Sequence, residues 1–372
     1  MLVSIVFSTS LFLSFILNGY FENIFIVLAS IAFYKQIIID KQYKYMAIAL
    51  IISFIGVNFI ITFGFRDYIN FQGELADIEK EETLVLLVSE GEDRSYNLKE
   101  RATEVFYKEG YKSLFNGVKK LHKYKSYYSE LGSSDFEVKA DEIATKLDYQ
   151  LGDEYDVKNT YLYSNNYFES TIEEAISQGY KNIIICPMFM TEGRDYEIFQ
   201  KRYENLNLIS YNLTNVQILD SFYKSNNLAL IYKNDVLNKI RASQNGAGVL
   251  LVGLNDKNNL EQDVLFRDKL KDYIIQEEKN IDIQIKMPLL ENNKKDIIKS
   301  GEELLEYGID TLYVVLPTSI IDTMSTKALV ENLLDKLEMG NTKFYYINPA
   351  KKSDAIVDEL FTRISLMEKI GG

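Results

Sequence analysis

The sequence predicts an α/β protein of two halves, each on a four-stranded parallel sheet, behind an apolar N-terminal region. Three observations predict it. From Thr83 onward, short β-branched apolar runs alternate with segments of helical period. The order occurs twice, with "EEAISQGYKNIIICP" in one half answered by "EELLEYGIDTLYVVLP" in the other. Residues 1–65 are almost free of charge.

Leu2–Leu17, Ile24–Ile39 and Tyr45–Phe65 are apolar segments divided by "NGYFEN" and "DKQYKY", and predict three transmembrane helices in region 1–66. Lys35 stands near the end of the second, where its stem can snorkel. A cleavable signal peptide is the competing reading of the first segment; it lacks a basic leading region and a small-x-small cleavage site. Lys35, Lys41 and Lys44 are the only basic residues of 1–65. The positive-inside rule puts the second break in the cytoplasm and everything after Arg66 outside it. The expectation is a multi-pass protein of the cell membrane with an extracytoplasmic soluble part. Residues 67–82 read as an acidic linker.

"TLVLLV" (Thr83–Val88) is the first strand, ended by "SEGEDR". Helical period follows over 97–109, 112–125 and 136–150. Val157–Tyr163 reads as a strand, and "STIEEAISQGY" as a helix capped by Ser170 or Thr171 and stopped at Gly179. "NIIICP" is the third strand. A helix near 196–205 leads to "NLISY" as the fourth, and a long helix, 221–242, ends at the turn "QNGAG". The second half repeats the order. Its strands are 248–253, 281–286, 311–317 and "TKFYYINP"; its helices are 261–277, 294–307, 324–337 and 353–368. The halves are 83–245 and 246–372. Continuously apolar strands predict sheets covered on both faces. The first half is longer between its first and Pro strands; the excess, about 97–135, reads as a helical lid.

Composition narrows the function. Forty-one basic against 54 acidic residues give a net charge of −13, which disfavours nucleic acid. One cysteine, Cys186, excludes an intrachain disulfide and a thiolate cluster. One histidine, His122, excludes a site of several imidazoles.

The ordered set of motifs from Thr83 to about Glu368 resembles the class II chelatases, ferrochelatase and the smaller sirohydrochlorin chelatases. "YSELGSSDF" is similar to the ferrochelatase element that closes the insert, without its proline. "TYLYSNNYFESTIEEAISQGYKNIIICPMFM" resembles the family's strand, helix and Pro strand, and "PMFMTEGRDYE" the loop of the sirohydrochlorin enzymes. "YKSNNLALIYKNDVLNKI" and "YYINPAKKSDAIVDELF" resemble the bridging and C-terminal helices of ferrochelatase. The resemblance implies two Rossmann-like halves and a tetrapyrrole cleft between them.

The sequence departs from the family where chemistry is expected. "LLVGLNDK" puts Asn255 (or Leu254) in place of the base histidine, and "PTSIIDTMSTKALVE" puts Thr326 in place of the glutamate; neither is a useful base at neutral pH. In the first half Glu90 and Asp195 replace the small enzymes' two histidines. As a carboxylate pair at strand ends they suit a divalent cation or proton removal, with Glu192, Glu92 and Asp93 nearby in sequence. The bland reading is solvated loop acids. Arg194 and Arg94 either hold a carboxylate arm or neutralise Asp195 and Asp93. Tyr161, Tyr163, Tyr167 and Phe168 at the rim, and Tyr124, Tyr127 and Tyr128 in the insert, either stack on a macrocycle or pack.

These residues imply a membrane-anchored, ferrochelatase-like binder of haem, porphyrin or its metal (Fe, Co, Ni or Zn) without standard ferrochelatase catalysis. Arg194, Tyr163, Tyr167, Tyr128, Asn255 and Thr326 are the implied ligand-binding residues. Glu90, Asp195 and Glu192 are the implied metal ligands. Two alternatives stand beside it: an active chelatase or dechelatase, a lyase using Glu90 and Asp195, and an interaction domain with a vestigial cleft. The implied partners are the membrane, a tetrapyrrole and a membrane transport protein.

Overall fold

The continuous apolar run at Thr83–Ser89 (β1) is buried from Leu84 through Ser89, as a strand with neighbours on both sides and helices on both faces must be. The computed structural model describes residues 1–39, 45–65, 80–208, 215–241, 246–253, 260–289, 295–347 and 353–371. Lys41, Lys44, Asn255 and residues 67–79 of the expected linker lie outside them.

Three apolar helices come first: α1 (Leu2–Ile16), α2 (Gly19–Tyr34) and α3 (Met46–Ile60). After β1 come α4 (Leu98–Glu109), α5 (Ser113–Leu131), α6 (Phe136–Leu151), β2 (Tyr155–Tyr161), α7 (Phe168–Ser177), β3 (Asn182–Pro187), α8 (Arg194–Leu206), β4 (Asn215–Ile218) and α9 (Asn226–Arg241). The second half runs β5 (Ala247–Leu251), α10 (Leu260–Glu277), β6 (Ile283–Lys286), α11 (Lys295–Tyr307), β7 (Thr311–Val315), α12 (Met324–Leu334), β8 (Lys343–Ile347) and α13 (Ser353–Gly371).

The two sheets have the same order, β2-β1-β3-β4 and β6-β5-β7-β8, and every described pairing is parallel. This is the predicted α/β architecture of two four-stranded parallel sheets. One strand sits elsewhere than expected. "NLISY" opens on Asn207, which takes a left-handed conformation (φ 48°) and ends α8. The rest of the expected strand, 209–211, lies outside the described residues, and β4 is found at 215–218, with Asn215 paired to Asn182.

Contacts divide the chain into two compact units. One joins Asn70–Gly91, Asp135–Leu162 and Asn166–Gly372 and holds both sheets. Its largest apolar core is continuous across the halves, from Val85, Ile184 and Met188 through Val236 to Val249, Tyr313 and Leu360. Helix α13 returns to pack on α6 and α9. Lys146 of α6 also meets Asp354 of α13 at 2.6 Å, an exposed pair worth well under about 1 kcal/mol beside the apolar burial.

The other unit is Met1–Ile69, Glu92–Ser134 and Tyr163–Asn165. Here the expected lid segment forms α4 and α5; α5 packs on α1 and α3, and α4 on α5 and on the turn 61–65 that continues α3. The N-terminal helices are polar inside and apolar outside: Ser4, Ser8, Ser14, Ser53 and Asn58 are buried, while Leu2, Phe21, Ile31, Ile51 and Phe59 are exposed. Two helices, Gly19–Ile39 and Met46–Gly64, are long and apolar enough to cross a membrane. The third apolar helix, α1, is shorter at 15 residues.

Candidate functional site

A parallel sheet offers its ligand crevice where the strand order reverses, outside the carboxyl ends of the strands. In the first sheet that point lies between β1 and β3, and in the second between β5 and β7. A cavity of about 130 Å³ occupies this edge in the unit with both sheets. Ser89 and Glu90 reach it from β1, Met188–Met190 from β3, and Thr318–Ile321 from the loop after β7. Two helix N-termini frame it. Gly193 caps α8, whose first turn carries Asp195 and Glu197, where the helix dipole favours negative charge. Thr323 caps α12.

The structure brings together Glu90, Asp195 and Thr326, all of which line this cavity. Glu90 and Asp195 are half-buried. Thr326 is committed to a capping box: its hydroxyl accepts from the Thr323 N–H at 2.8 Å, and the Thr323 hydroxyl accepts from the Thr326 N–H at 3.2 Å. Glu192 turns to other partners, accepting from Gln262 Nε2 at 3.0 Å and Ser221 Oγ at 3.3 Å. Among the described residues no three His, Cys, Asp or Glu side chains converge in a metal-holding group. Arg194 is exposed and Tyr167 half-buried, and neither lines the cavity.

Other candidates are placed by packing. Tyr163 is fully buried, 6.4 Å from the Tyr107 ring and 5.1 Å from Lys108 Nζ. Tyr128 is buried and donates to the Asp93 carbonyl at 2.9 Å. Glu92 is buried, accepts from Ser134 Oγ at 2.7 Å and faces Arg101, which holds Glu104 at 2.7 Å. Burial alone would raise the Glu104 carboxyl; Arg101 and Lys108 outweigh it and hold the group below its usual range. Nearby, Glu100 is pushed up to about 8 by burial and by the Asp93 charge. Cys186 is fully buried, and burial pushes its thiol up, so it is an apolar strand residue, as expected.

Sequence reasoning missed Asp322. It lies between cavity residues Ile321 and Thr323 and is 2% exposed. Tyr346 Oη of β8 donates to its Oδ1 at 2.6 Å, and its Oδ2 is buried with no partner. Burial pushes this carboxyl up to about 6, against the pull of Tyr346 and Lys327. The available signal was an acid inside the otherwise apolar "SIID" run.

A second missed pair braces the end of β5. Arg267, 1% exposed, ion-pairs with Asp263 at 2.8 Å through Nε and donates to the Leu251 and Met287 carbonyls at 3.2 and 3.0 Å. The first half has a counterpart: Arg202 pairs with Glu169 and donates to the Leu162 carbonyl at 2.5 Å. Each guanidinium ties backbone at or beyond a strand's carboxyl end to a helix.

No protein-family model matches the chain, and no curated protein matches it in sequence. Among solved structures it is similar to SirB from Bacillus subtilis with Fe3+, at 12% identity over 76% of this chain and 94% of that one, TM-score 0.48. It is similar also to CbiX, described as the terminal enzyme for biosynthesis of siroheme in denitrifying bacteria, at 11% identity over 75% and 97% of the two chains, TM-score 0.42. GanP, a glucose-galactose binding protein from Geobacillus stearothermophilus, follows at 11% identity over 77% and 91%, TM-score 0.34.

Proposed function

We propose that the chain is a membrane-anchored, chelatase-like binding protein. Its cavity at the carboxyl edge of the two sheets takes a tetrapyrrole or its metal as cargo, for transport, storage or sensing, without standard ferrochelatase catalysis. The observation that carries this reading is that Glu90 and Asp195, far apart in sequence, line one cavity at the first sheet's switch point. These are the two positions where the resemblance sets the small chelatases' histidines.

The donor set limits the mode of binding. Two carboxylates and nearby hydroxyls suit a hard or borderline cation that keeps some of its water. They do not make the closed cage of a resident transition metal. The cavity volume of about 130 Å³ is below the ~300–1,000 Å³ usual for organic-ligand pockets. A macrocycle would therefore lie across the mouth, with only an arm or its metal inside. The apolar walls, Met188, Phe189, Met190 and Ile320 among them, suit the flat face of such a ligand.

Anchoring is supported by the inverted pattern of α1–α3. Exposed apolar side chains surrounding buried serines match a lipid-facing bundle and oppose the arrangement a soluble protein needs.

The test is titration of the full chain in lipid nanodiscs with haem and metal-free protoporphyrin, and separately with Co2+ and Zn2+, against empty nanodiscs. The reading expects a Soret shift or saturable metal binding at micromolar concentrations. Absence of both would sink it. Catalysed metal insertion into the porphyrin would favour the chelatase alternative instead.

A further inference from the structure

We propose that the outward face of α5 rests on the surface of an anionic lipid bilayer, with Tyr111 and Phe115 in the headgroup layer and a row of lysines over the phosphates. The inference rests on the membrane reading of α1–α3 given above, and concerns a surface that reading leaves unassigned.

Helix α5 is hydrogen-bonded to the apolar helices at several points along its length. Near its start, Ser113 Oγ lies 3.0 Å from Thr62 Oγ1, and the Val118 N–H donates to Asn58 Oδ1 at 2.9 Å. Gly117 permits this approach: a Cβ there would stand 3.0 Å from Asn58 Oδ1 and 3.3 Å from an Ile61 methyl. Two turns later, His122 Nδ1 lies 3.2 Å from the Phe15 carbonyl, and Lys125 Nζ donates to the Ser14 carbonyl at 3.0 Å. Asn58 lies near the end of α3 and Thr62 in the π-helical turn that continues it, while Ser14 and Phe15 lie at the end of α1. Helix α5 thus runs from contacts near the end of the α3 helix to contacts at the end of α1. From Ser113 to Lys125 it rises about 18 Å, roughly the width of two packed helices at 8–10 Å spacing. A helix joined to the ends of spanning helices lies at the interface.

The two faces of α5 differ in composition. Gly117, Val118, Leu121 and Tyr128 are buried. The opposite face carries Tyr111 and Phe115, each 73% exposed, with Lys112, Lys119 and Lys123 also exposed. These positions recur at three- and four-residue intervals and so share one side. Residues 110–129 hold five lysines and no Asp or Glu, in a chain of net charge −13. A single exposed Phe is unremarkable on any protein. An aromatic edge beside the exposed Lys112, Lys119 and Lys123, on a helix packed against the apolar α1 and α3, is the pattern of an interfacial helix on anionic lipid.

The chain has no tryptophan, so a single introduced indole reports one position. Three full-length variants serve: Phe115→Trp on α5, Phe59→Trp on the exposed face of α3, and Tyr149→Trp at an 89% exposed site on α6. Each is reconstituted with brominated phosphatidylcholine, with and without phosphatidylglycerol. The expected result is strong quenching for Phe59→Trp, partial quenching with a blue shift for Phe115→Trp that grows several-fold with phosphatidylglycerol, and none for Tyr149→Trp. Adding Lys112→Glu, Lys119→Glu and Lys123→Glu should abolish the anionic-lipid increment. Quenching of Phe59→Trp without quenching of Phe115→Trp overturns the proposal. So does a Phe115→Trp shift that follows protein concentration rather than lipid charge, which would place a second copy on this face. No quenching of Phe59→Trp would instead sink the membrane reading itself.

Discussion

Tyr346 Oη stands 2.6 Å from Asp322 Oδ1, and the other oxygen of that carboxylate is buried without a partner. Bonds from a neutral phenol and, at 3.4 Å, from the Thr326 hydroxyl, both to one oxygen, leave a buried carboxylate poorly compensated. Burial pushes the group from an ordinary value of 3.8 to about 6. The folded state therefore binds more protons than the unfolded state between these values, so stability falls as pH rises through about 4 to 6 and stays lowered above. Asp322→Asn keeps an acceptor for Tyr346 without the charge. It should raise stability at pH 7–8 by about 1–3 kcal/mol and give little gain below the unfolded pKa. Thermal melts of both proteins across pH measure the difference; parallel stability curves would refute it.

The pair beneath Gly253 predicts a steric result. A Cβ at Gly253 would lie 2.4 Å from Asp263 Oδ2 and 2.7 Å from Arg267 Nη2, both on a braced, buried ion pair. Gly253→Ala should cost about 1–3 kcal/mol by overpacking. Arg267→Met should cost more, about 3–5 kcal/mol, because it strands Asp263 in a buried site. Denaturant midpoints of the two variants should fall in that order. Equal, small losses would show that the brace is not rigid.

What was legible in the sequence follows the range of the forces involved. Seven of the eight strands and most helix limits are local matters of continuous apolar runs, glycine stops and the Pro187 end. Glu90 and Asp195 were legible because each follows a recognisable strand, and parallel topology sends such ends to one edge. Asp322 was not, since its environment depends on Tyr346, a strand and a helix further on. Tyr163 looked like a rim residue while β2 was taken to reach it. The strand ends at Tyr161, and Tyr163 packs by Tyr107 and Lys108. The expected fourth strand opened on Asn207, which instead ends α8 in a left-handed conformation, a backbone choice the apolar pattern does not encode.

Gly117 tests the seam between α3 and α5. Gly117→Leu would drive a branched side chain into Asn58 and Ile61 and should part the helices. Trypsin cleavage after Lys119 and Lys120 in detergent-solubilised full chain should accelerate at least several-fold. Gly56→Leu is the control, since nothing lies within 4 Å of a Cβ there. Equal cleavage of both variants would show that the seam does not depend on this contact.

The carboxylate pair gives the sharpest test of the cavity. If Glu90 and Asp195 hold one cation together, Glu90→Gln or Asp195→Asn removes one of two charged ligands. Each should weaken Co2+ or Zn2+ binding by about tenfold or more, equivalent to ~1.4 kcal/mol. Groups acting on one ion are coupled, so the double variant should lose less than the product of the single losses. Acids that merely attract cations to the surface would give small, multiplicative losses that vanish with added salt. Cys186→Ala should leave affinity unchanged, because burial keeps that thiol protonated inside its strand. A saturating metal should also raise the melting temperature of the native chain, and chelation should reverse the shift, as linkage requires of any ligand that binds only the folded state. Full additivity of the two single losses, with no thermal shift, would return Glu90 and Asp195 to the standing of solvated loop acids.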